Sequence, residues 1–125
     1  MTAPYRILVT GSRDWTDIDT IRRHLDETYA LAPADREVVL VHGGCPTGAD
    51  AIAHTWGGRT GVTIDVFIAD WAGSGKAAGP LRNARMVAEG ADVCLAFIRN
   101  GSRGASHTVA LARRAGIPVR AWTAS

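Results

Sequence analysis

VVLVHGGCPTGAD, residues 38–50, decides the fold, because a run of apolar residues stops at a glycine pair and a helix start follows. Consecutive apolar, mostly β-branched residues predict a strand covered on both faces, as parallel sheets require. Gly43 and Gly44 permit a close approach of the backbone to a ligand. Thr47, followed by Asp50, resembles a capping box. The segment therefore predicts a buried strand, a tight turn and a helix.

The start of that helix predicts an anion in the loop. A helix N-terminus carries roughly half a positive charge, and phosphate is a common occupant of such a site. An ordinary strand-to-helix turn without a ligand explains the same residues, so this segment alone leaves both interpretations open.

The rest of the chain repeats the alternation of strands and helices. Strand patterns cover residues 6–10, 37–41, 62–68, 92–97 and 117–122, and helical patterns cover residues 18–29, 49–60, 80–89 and 105–115. This alternation predicts an α/β fold, a Rossmann-like three-layer sandwich around a five-stranded, mainly parallel sheet. The expected strand order is 3-2-1-4-5, with a switch point between strands 1 and 4 where ligands bind.

Several local features refine this outline. Residues 69–79 are too rich in glycine to predict regular structure, and we expect a long loop there. Residues 62–68 partly alternate apolar and polar side chains, which suits an edge strand. Thr16 is the expected cap of the first helix. Trp15 and Trp71 either stack on a base or close the core.

The length and composition limit the kinds of protein to which this chain can belong. The chain has 125 residues, of which 46% are hydrophobic, and this predicts a single domain over residues 1–125. A net charge of +2 permits a nucleic-acid partner without favouring one. No apolar stretch approaches the ~20 residues of a membrane span, so we expect no membrane partner. Cys45 and Cys94 are too few for a disulfide framework, and we expect a cytoplasmic protein.

Glycine-rich loops follow strands 1, 2 and 4 and flank the expected ligand crevice, and charged residues lie on these loops and on the loop that follows strand 3. Arg13, Arg82 and Arg103 lie on or beside these loops, where guanidinium groups bind phosphate in bidentate fashion. Carboxylates at strand ends are candidates for contacts with ribose hydroxyls or for acid-base chemistry, and they are Asp14, Asp50 and Asp70. Solvated arginines, and an Asp50 that only caps its helix, are the alternatives.

Common cofactor and metal motifs are incomplete in this sequence. Gly75-Lys76 lacks both the earlier glycine and the following hydroxyl residue that a P-loop needs, and the dinucleotide fingerprint is not completed. His42, Cys45 and His54 have no Cys-x-x-Cys or His-Glu-x-x-His companion. We therefore expect no metal and no cofactor.

Residues 11–14, 42–50, 69–71, 75–83 and 101–104 together resemble the YspA-type, cpYpsA-related branch of the SLOG superfamily. The resemblance spans most of the chain. This superfamily shares a Rossmann-like domain with the LOG phosphoribohydrolases and the DNA-processing protein DprA. The resemblance therefore implies a nucleotide or nucleotide-derived ligand, and a homodimer.

The similarity to LOG enzymes also implies catalytic positions. The segment RNARM, residues 82–86, is similar to their Arg-Lys-x-x-Met helix start, so Arg82 matches the catalytic arginine. Thr108 stands at the position of their catalytic glutamate. Another side chain would have to supply the base, and the candidates are Asp50, Asp70 and His107. We therefore expect hydrolysis of an N-glycosidic bond to be very slow or absent while binding persists.

The predicted site thus comprises catalytic candidates and ligand contacts. Arg82, Asp50 and Asp70 are the catalytic candidates. The predicted ligand contacts are Gly11, Ser12, Arg13, Asp14, Gly43, Gly44, Thr47, Gly48, Lys76, Asn83, Gly101, Ser102, Arg103 and Gly104.

Two other functions stay open at this point: nucleic-acid binding of the DprA kind, and a protein-interaction module with a vestigial pocket. A homodimer would use the helix around Trp56, taken as a surface tryptophan, and residues 80–89.

Overall fold

The computed structural model describes residues 2–124, which form one sheet with helices on both faces. Its strands are β1 (Tyr5–Gly11), β2 (Val38–His42), β3 (Thr63–Val66), β4 (Val93–Arg99) and β5 (Val119–Ala124). Its helices are α1 (Ile18–Leu31), α2 (Gly48–Thr60), α3 (Trp71–Ser74), α4 (Ala78–Glu89) and α5 (Arg103–Arg114), and a 3-10 turn (Gly75–Ala77) joins α3 to α4. None of the helices within this range is long and apolar enough to cross a membrane.

The strand order is β3-β2-β1-β4-β5, and every neighbouring pair is parallel. This confirms the predicted α/β Rossmann-like fold and the predicted order 3-2-1-4-5. In the register of the sheet, Leu8 lies between Val41 and Cys94, and Gly11 lies opposite Phe97. The switch point therefore falls between the carboxyl ends of β1 and β4, where ligand sites of such sheets form.

Alternate residues of the central strands pack into two apolar layers on opposite faces of the sheet. One layer joins the strands to α1 and α2, and its members include Ile7, Val9, Leu40, Leu95, Phe97, Ile21, Leu25 and Trp56. The other layer contains residues of α4 and α5, and its members include Leu8, Val39, Val41, Cys94, Met86, Val87 and Ala112. Because both faces are covered, β2 is apolar at consecutive positions.

The prediction of an irregular loop over residues 69–79 is wrong, because this segment contains α3, the 3-10 turn and the start of α4. Asp70 caps α3, and its carboxylate accepts a hydrogen bond from the N–H of Gly73 at 2.9 Å. Gly79 is buried in the first turn of α4, where a Cβ would lie 3.1 Å from the ring of Trp71. Here glycine serves close packing and does not indicate a loop.

Two predicted helix starts differ in detail. Asp17, and not Thr16, caps α1, because its carboxylate accepts a hydrogen bond from an N–H in the first turn at 3.1 Å. Thr47 is the N-cap of α2 but makes no side-chain capping bond. The carboxylate of Asp50 instead accepts a hydrogen bond from the N–H of Cys45 at 3.2 Å. The start of α2 is therefore not a capping box, and Asp50 fixes the preceding loop.

Two tryptophans belong to the core. Trp15 and Trp56 are each 4% exposed, and Trp15 packs edge-on against Phe97. The indole N–H of Trp56 donates to the carboxylate of Asp26 at 2.8 Å. The idea of Trp56 as a surface tryptophan is therefore wrong. The homodimer stays a prediction, without support from this side chain.

The close packing of β1 against its neighbours generates a stability prediction. A Cβ on Gly11 would lie 2.6 Å from the carbonyl oxygen of Phe97 and would collide with Ala49. We expect Gly11→Ala to lower the free energy of unfolding by about 1–3 kcal/mol, because overpacking forces the backbone to move. Urea denaturation followed by circular dichroism measures this change.

Gly58→Ala is the matched control, since nothing lies within 4 Å of its added Cβ and the residue is in the interior of α2. It should raise the free energy of unfolding by about 0.5–1 kcal/mol. Equal stability of the Gly11→Ala variant and the wild type would contradict the packing described here.

Candidate functional site

A cavity of about 270 Å³ opens at the carboxyl ends of β1, β2 and β4. We call this space the inner cavity, and it is lined by Val9, Thr10, Gly11, Arg13, Gly43, Cys45, Asp50, Arg82, Asn83, Met86, Ser102, Gly104 and Ala105. The three loops that the sequence analysis singled out therefore meet at the switch point. The predicted site residues that they bring together are Gly11, Arg13, Gly43, Asp50, Arg82, Asn83, Ser102 and Gly104.

A wider space of about 610 Å³ adjoins the inner cavity. We call it the outer chamber. The residues that line this chamber but not the inner cavity are Gly44, Pro46, Thr47, Ile68, Ala69 and Trp71. Arg13, Gly43, Cys45 and Arg82 line both spaces. The two arginines therefore stand at the junction.

Arg82, on α4, is fixed by hydrogen bonds to neutral acceptors. Its Nη1 donates to the carbonyl oxygen of Gly43, and its Nε donates to the Oδ1 of Asn83 at 2.8 Å. Burial lowers the pKa of the Arg82 guanidinium from its usual value, while the nearby Asp50 raises it. Arg82 therefore ties α4 to the glycine loop after β2 and places a positive charge on the cavity wall.

Asp50 supplies the carboxylate of the inner cavity. It lies in the first turn of α2 and is 8% exposed. Burial raises the pKa of the Asp50 carboxyl to about 6, although the N–H groups of Cys45 and Gly43 and the charge of Arg82 act in the opposite direction. Asp50 can therefore take up or release a proton close to neutral pH.

A pair of histidines supports the glycine loop from the side. The Nδ1 of His42 accepts a hydrogen bond from the N–H of Gly44 at 3.0 Å, so the proton of His42 resides on Nε2. That Nε2–H then donates to the Nδ1 of His54 at 2.9 Å. Burial, assisted by the charge of His54, lowers the pKa of His42 to about 4. Residues 2–124 contain no group of three or more His, Cys, Asp or Glu side chains that could hold a metal ion.

The start of α5 forms the remaining wall. The first N–H groups of a helix have no partner within the helix, and they attract anions. Asn83 supports this turn, because its Nδ2 lies 3.4 Å from the carbonyl oxygen of Gly104 and 3.3 Å from the Nδ1 of His107. Thr108 is fully buried and donates to the same carbonyl oxygen at 3.2 Å. Thr108 therefore does not reach the inner cavity.

Several predicted site residues lie outside the inner cavity, and these are Ser12, Asp14, Gly44, Thr47, Gly48, Asp70, Lys76, Gly101 and Arg103. Gly44 and Thr47 line the outer chamber, while Asp70 caps α3. Asp14 forms an ion pair with Arg99 at 3.2 Å. Lys76, Gly101 and Arg103 are exposed.

The structure also brings in residues that the sequence analysis did not place in the site, namely Val9, Thr10, Cys45, Met86 and Ala105. Val9 and Thr10 were counted only as strand residues. Cys45, which the sequence analysis considers only for a disulfide and a metal site, lines both spaces. The sequence does contain a signal for Thr10 as a site residue, because this polar residue ends an apolar strand just before a glycine.

Comparison with known proteins supports the resemblance to the SLOG superfamily. The sequence model described as YAcAr, the YspA, cpYpsA-related SLOG family, matches residues 5–73. One relative, the Gene 61 protein of Mycobacterium phage D29, is 46% identical over 119 residues, which cover 91% of this chain and 93% of the relative. No solved structure matches the chain.

The buried Asp50 generates a prediction about pH. Its pKa is about 6 in the folded protein and 3.8 as the reference value, so the folded state loses stability as pH rises through this range. Asp50→Asn removes this loss. We expect the variant to gain up to about 3 kcal/mol relative to the wild type between about pH 4 and about pH 7.5, measured by urea denaturation at both values.

For His42→Gln, the change of stability with pH should have the opposite sign. The pKa of His42 falls from 6.5 to about 4 on folding, so the wild type loses stability as pH falls through that range. The His42→Gln variant should therefore gain stability relative to the wild type at the lower pH. An Asp50→Asn effect that does not change with pH would show that Asp50 is ionised throughout.

Proposed function

This chain belongs to the YspA, cpYpsA-related SLOG family, and we propose that its inner cavity binds the phosphate group of a nucleotide or nucleotide-derived ligand. One observation carries the proposal: Arg13, Arg82 and the first turn of α5 line one cavity at the switch point of the sheet. Guanidinium groups and helix N-termini are both favourable partners of phosphate.

Positive charge in the cavity is only partly neutralised. The bonds that Arg82 donates go to a backbone carbonyl and an amide oxygen, and neither acceptor carries a charge. Arg13 has no hydrogen-bond or ion-pair partner within residues 2–124, and its charge adds to burial in lowering the pKa of Arg82. A bound anion would relieve the repulsion between these two cations.

The size of the inner cavity favours a small ligand over nucleic acid. Ligand cavities commonly measure roughly 300–1,000 Å³, and about 270 Å³ accommodates a phosphate with a sugar. Binding a nucleic-acid strand requires an open, positively charged groove. Lys76 and Arg103, which would extend such a groove, do not line the cavity. Binding of the DprA kind is therefore the less favoured function.

We propose binding without efficient hydrolysis of the N-glycosidic bond. Glycoside hydrolysis commonly employs two carboxylates, one as acid and one as base or nucleophile. Asp50 is the only carboxylate among the described residues that line the inner cavity. Thr108 cannot replace the second, because a hydroxyl is no base near neutral pH and this one is buried against Gly104.

Binding can be tested with AMP and inorganic phosphate in a thermal-shift titration. AMP at ~100 times its dissociation constant should add about 2.7 kcal/mol to the stability of the wild type. Arg13→Ala should weaken AMP binding by roughly 10- to 150-fold, because a charge-assisted contact contributes about 1.5–3 kcal/mol. Arg13 is exposed and holds no other side chain, so its replacement leaves the fold intact.

Arg114→Ala is the matched control, since this exposed arginine lies at the end of α5 and outside the inner cavity. Its affinity for AMP should equal that of the wild type. Equal losses in both variants would indicate a non-specific charge effect. Binding of single-stranded DNA that weakens steeply with salt, without any binding of AMP, would favour the nucleic-acid function.

Turnover is a separate measurement. The purified protein, incubated with AMP and followed by chromatography, should release adenine very slowly or not at all, because the described residues that line the cavity include no second carboxylate. Asp50→Asn is the informative variant. Rapid release by the wild type that Asp50→Asn abolishes would contradict this prediction and identify Asp50 as the base.

A further inference from the structure

The outer chamber differs in chemistry from the inner cavity. Its own walls carry two exposed apolar side chains, Ile68 and Trp71, which are 64% and 52% exposed. Arg13 and Arg82 separate these side chains from the start of α5, because both arginines line the inner cavity as well. A ligand that spans both spaces would therefore meet cations at the junction and an aromatic ring at its outer end.

Trp71 is held in place on one side only. A Cβ on Gly79 would lie 3.1 Å from its ring, so the indole rests against the first turn of α4. Asp70 fixes the backbone of this segment by capping α3. The rest of the ring remains open to the chamber, since half of the side chain is exposed.

Trp71 also contrasts with the two core tryptophans of this chain. The indole N–H of Trp15 donates to the carbonyl oxygen of Asp17 at 2.9 Å, and that of Trp56 donates to Asp26. The indole N–H of Trp71 has no partner among residues 2–124. A buried or interfacial tryptophan normally has a partner for this group. Both its ring face and its donor are therefore available to a ligand.

Ile68 completes the apolar surface. The Nη2 of Arg85 donates a hydrogen bond to the backbone carbonyl oxygen of Ile68 at 2.9 Å, which holds the segment after β3 in position. The side chain of Ile68 lies over Gly44, where an added Cβ would come within 2.7 Å of its Cδ1. Gly44 therefore provides room for Ile68 to cover the glycine loop, and the chamber gains a flat apolar wall.

We propose that the outer chamber is a base-binding subsite, in which the ring of a nucleoside 5′-phosphate packs against Trp71 and Ile68. The inference rests on the proposed function, because it requires the phosphate to lie in the inner cavity beside Arg82. The phosphate then lies within reach of both Arg13 and Arg82, and the ribose leads from the junction into the outer chamber. The site thus selects nucleotides over sugar phosphates by the contact with the base, and Trp71 is its specificity-determining residue.

Isothermal titration with AMP and with ribose 5-phosphate tests the subsite. The two ligands share the phosphate and the sugar, and only AMP carries a base. Because stacking on an aromatic side chain strengthens binding by a factor of roughly 5 to 150, wild-type protein should bind AMP tighter than ribose 5-phosphate by that factor. Trp71→Ala should abolish the difference by weakening AMP alone, and Trp71→Phe should retain most of it.

Tryptophan fluorescence gives an independent readout on the same protein. AMP should change the emission of the exposed Trp71, because Trp15, Trp56 and Trp122 do not line the chamber; the first two are buried, and Trp122 stacks on His24 and Phe97. The change should disappear in Trp71→Phe while binding of AMP persists.

Other outcomes separate the two proposals. Equal affinities for AMP and ribose 5-phosphate that Trp71→Ala leaves unchanged would overturn the subsite and retain the phosphate site. Equal weakening of both ligands by Trp71→Ala would also overturn it, because Trp71 would then only support the fold of the loop. Binding of neither ligand by the wild type would overturn the proposed function itself.

Discussion

A buried serine at the end of β1 connects the elements that enclose the cavity. Ser12 is 2% exposed; its N–H donates to the carbonyl oxygen of Phe97 at 2.9 Å, and its own carbonyl accepts from the N–H of Ala49 at 3.2 Å. Its Oγ accepts from the N–H of Arg99 at 2.7 Å and lies 3.2 Å from the carbonyl oxygen of that residue. The backbone and the hydroxyl of this one residue thus join β1 to β4, and its carbonyl joins β1 to α2. A buried polar group satisfied in this way fixes a single geometry.

The close packing around Ser12 limits which residues can line the cavity. Gly48 adopts a φ of +71°, and α2 approaches β1 so closely that an added Cβ on this residue would collide with the carbonyl oxygen of Ser12. A Cβ on Gly11 would likewise collide, with Ala49 of α2 and with the carbonyl oxygen of Phe97 in β4. Gly11 and Gly48 therefore have no room for side chains, and the cations of the cavity come from Arg13 and from Arg82 on α4.

The fold was predictable from the sequence because its signals are local. Apolar runs such as residues 38–41 indicate covered parallel strands, and glycines at strand ends mark the ligand side. The role of Ser12 was not predictable, because its hydroxyl pairs with a residue 87 positions away along the chain. Burial of Trp56 depends in the same way on Asp26 of α1. Residues 69–79 were misjudged because composition reports glycine content and not the capping of α3 by Asp70.

In the proposed site, Asp50 would couple the uptake of a proton to the binding of an anion in the inner cavity. An anion beside this carboxyl disfavours its ionised form and raises its pKa further, so protonation of Asp50 and anion binding strengthen each other by linkage. A neutral carboxyl also gains an O–H that can donate to a phosphate oxygen. The same proton removes the base that hydrolysis would need. The conditions that would hold a phosphate ester most tightly are therefore those in which Asp50 is least able to activate water, and no second carboxylate stands among the described residues that line the cavity.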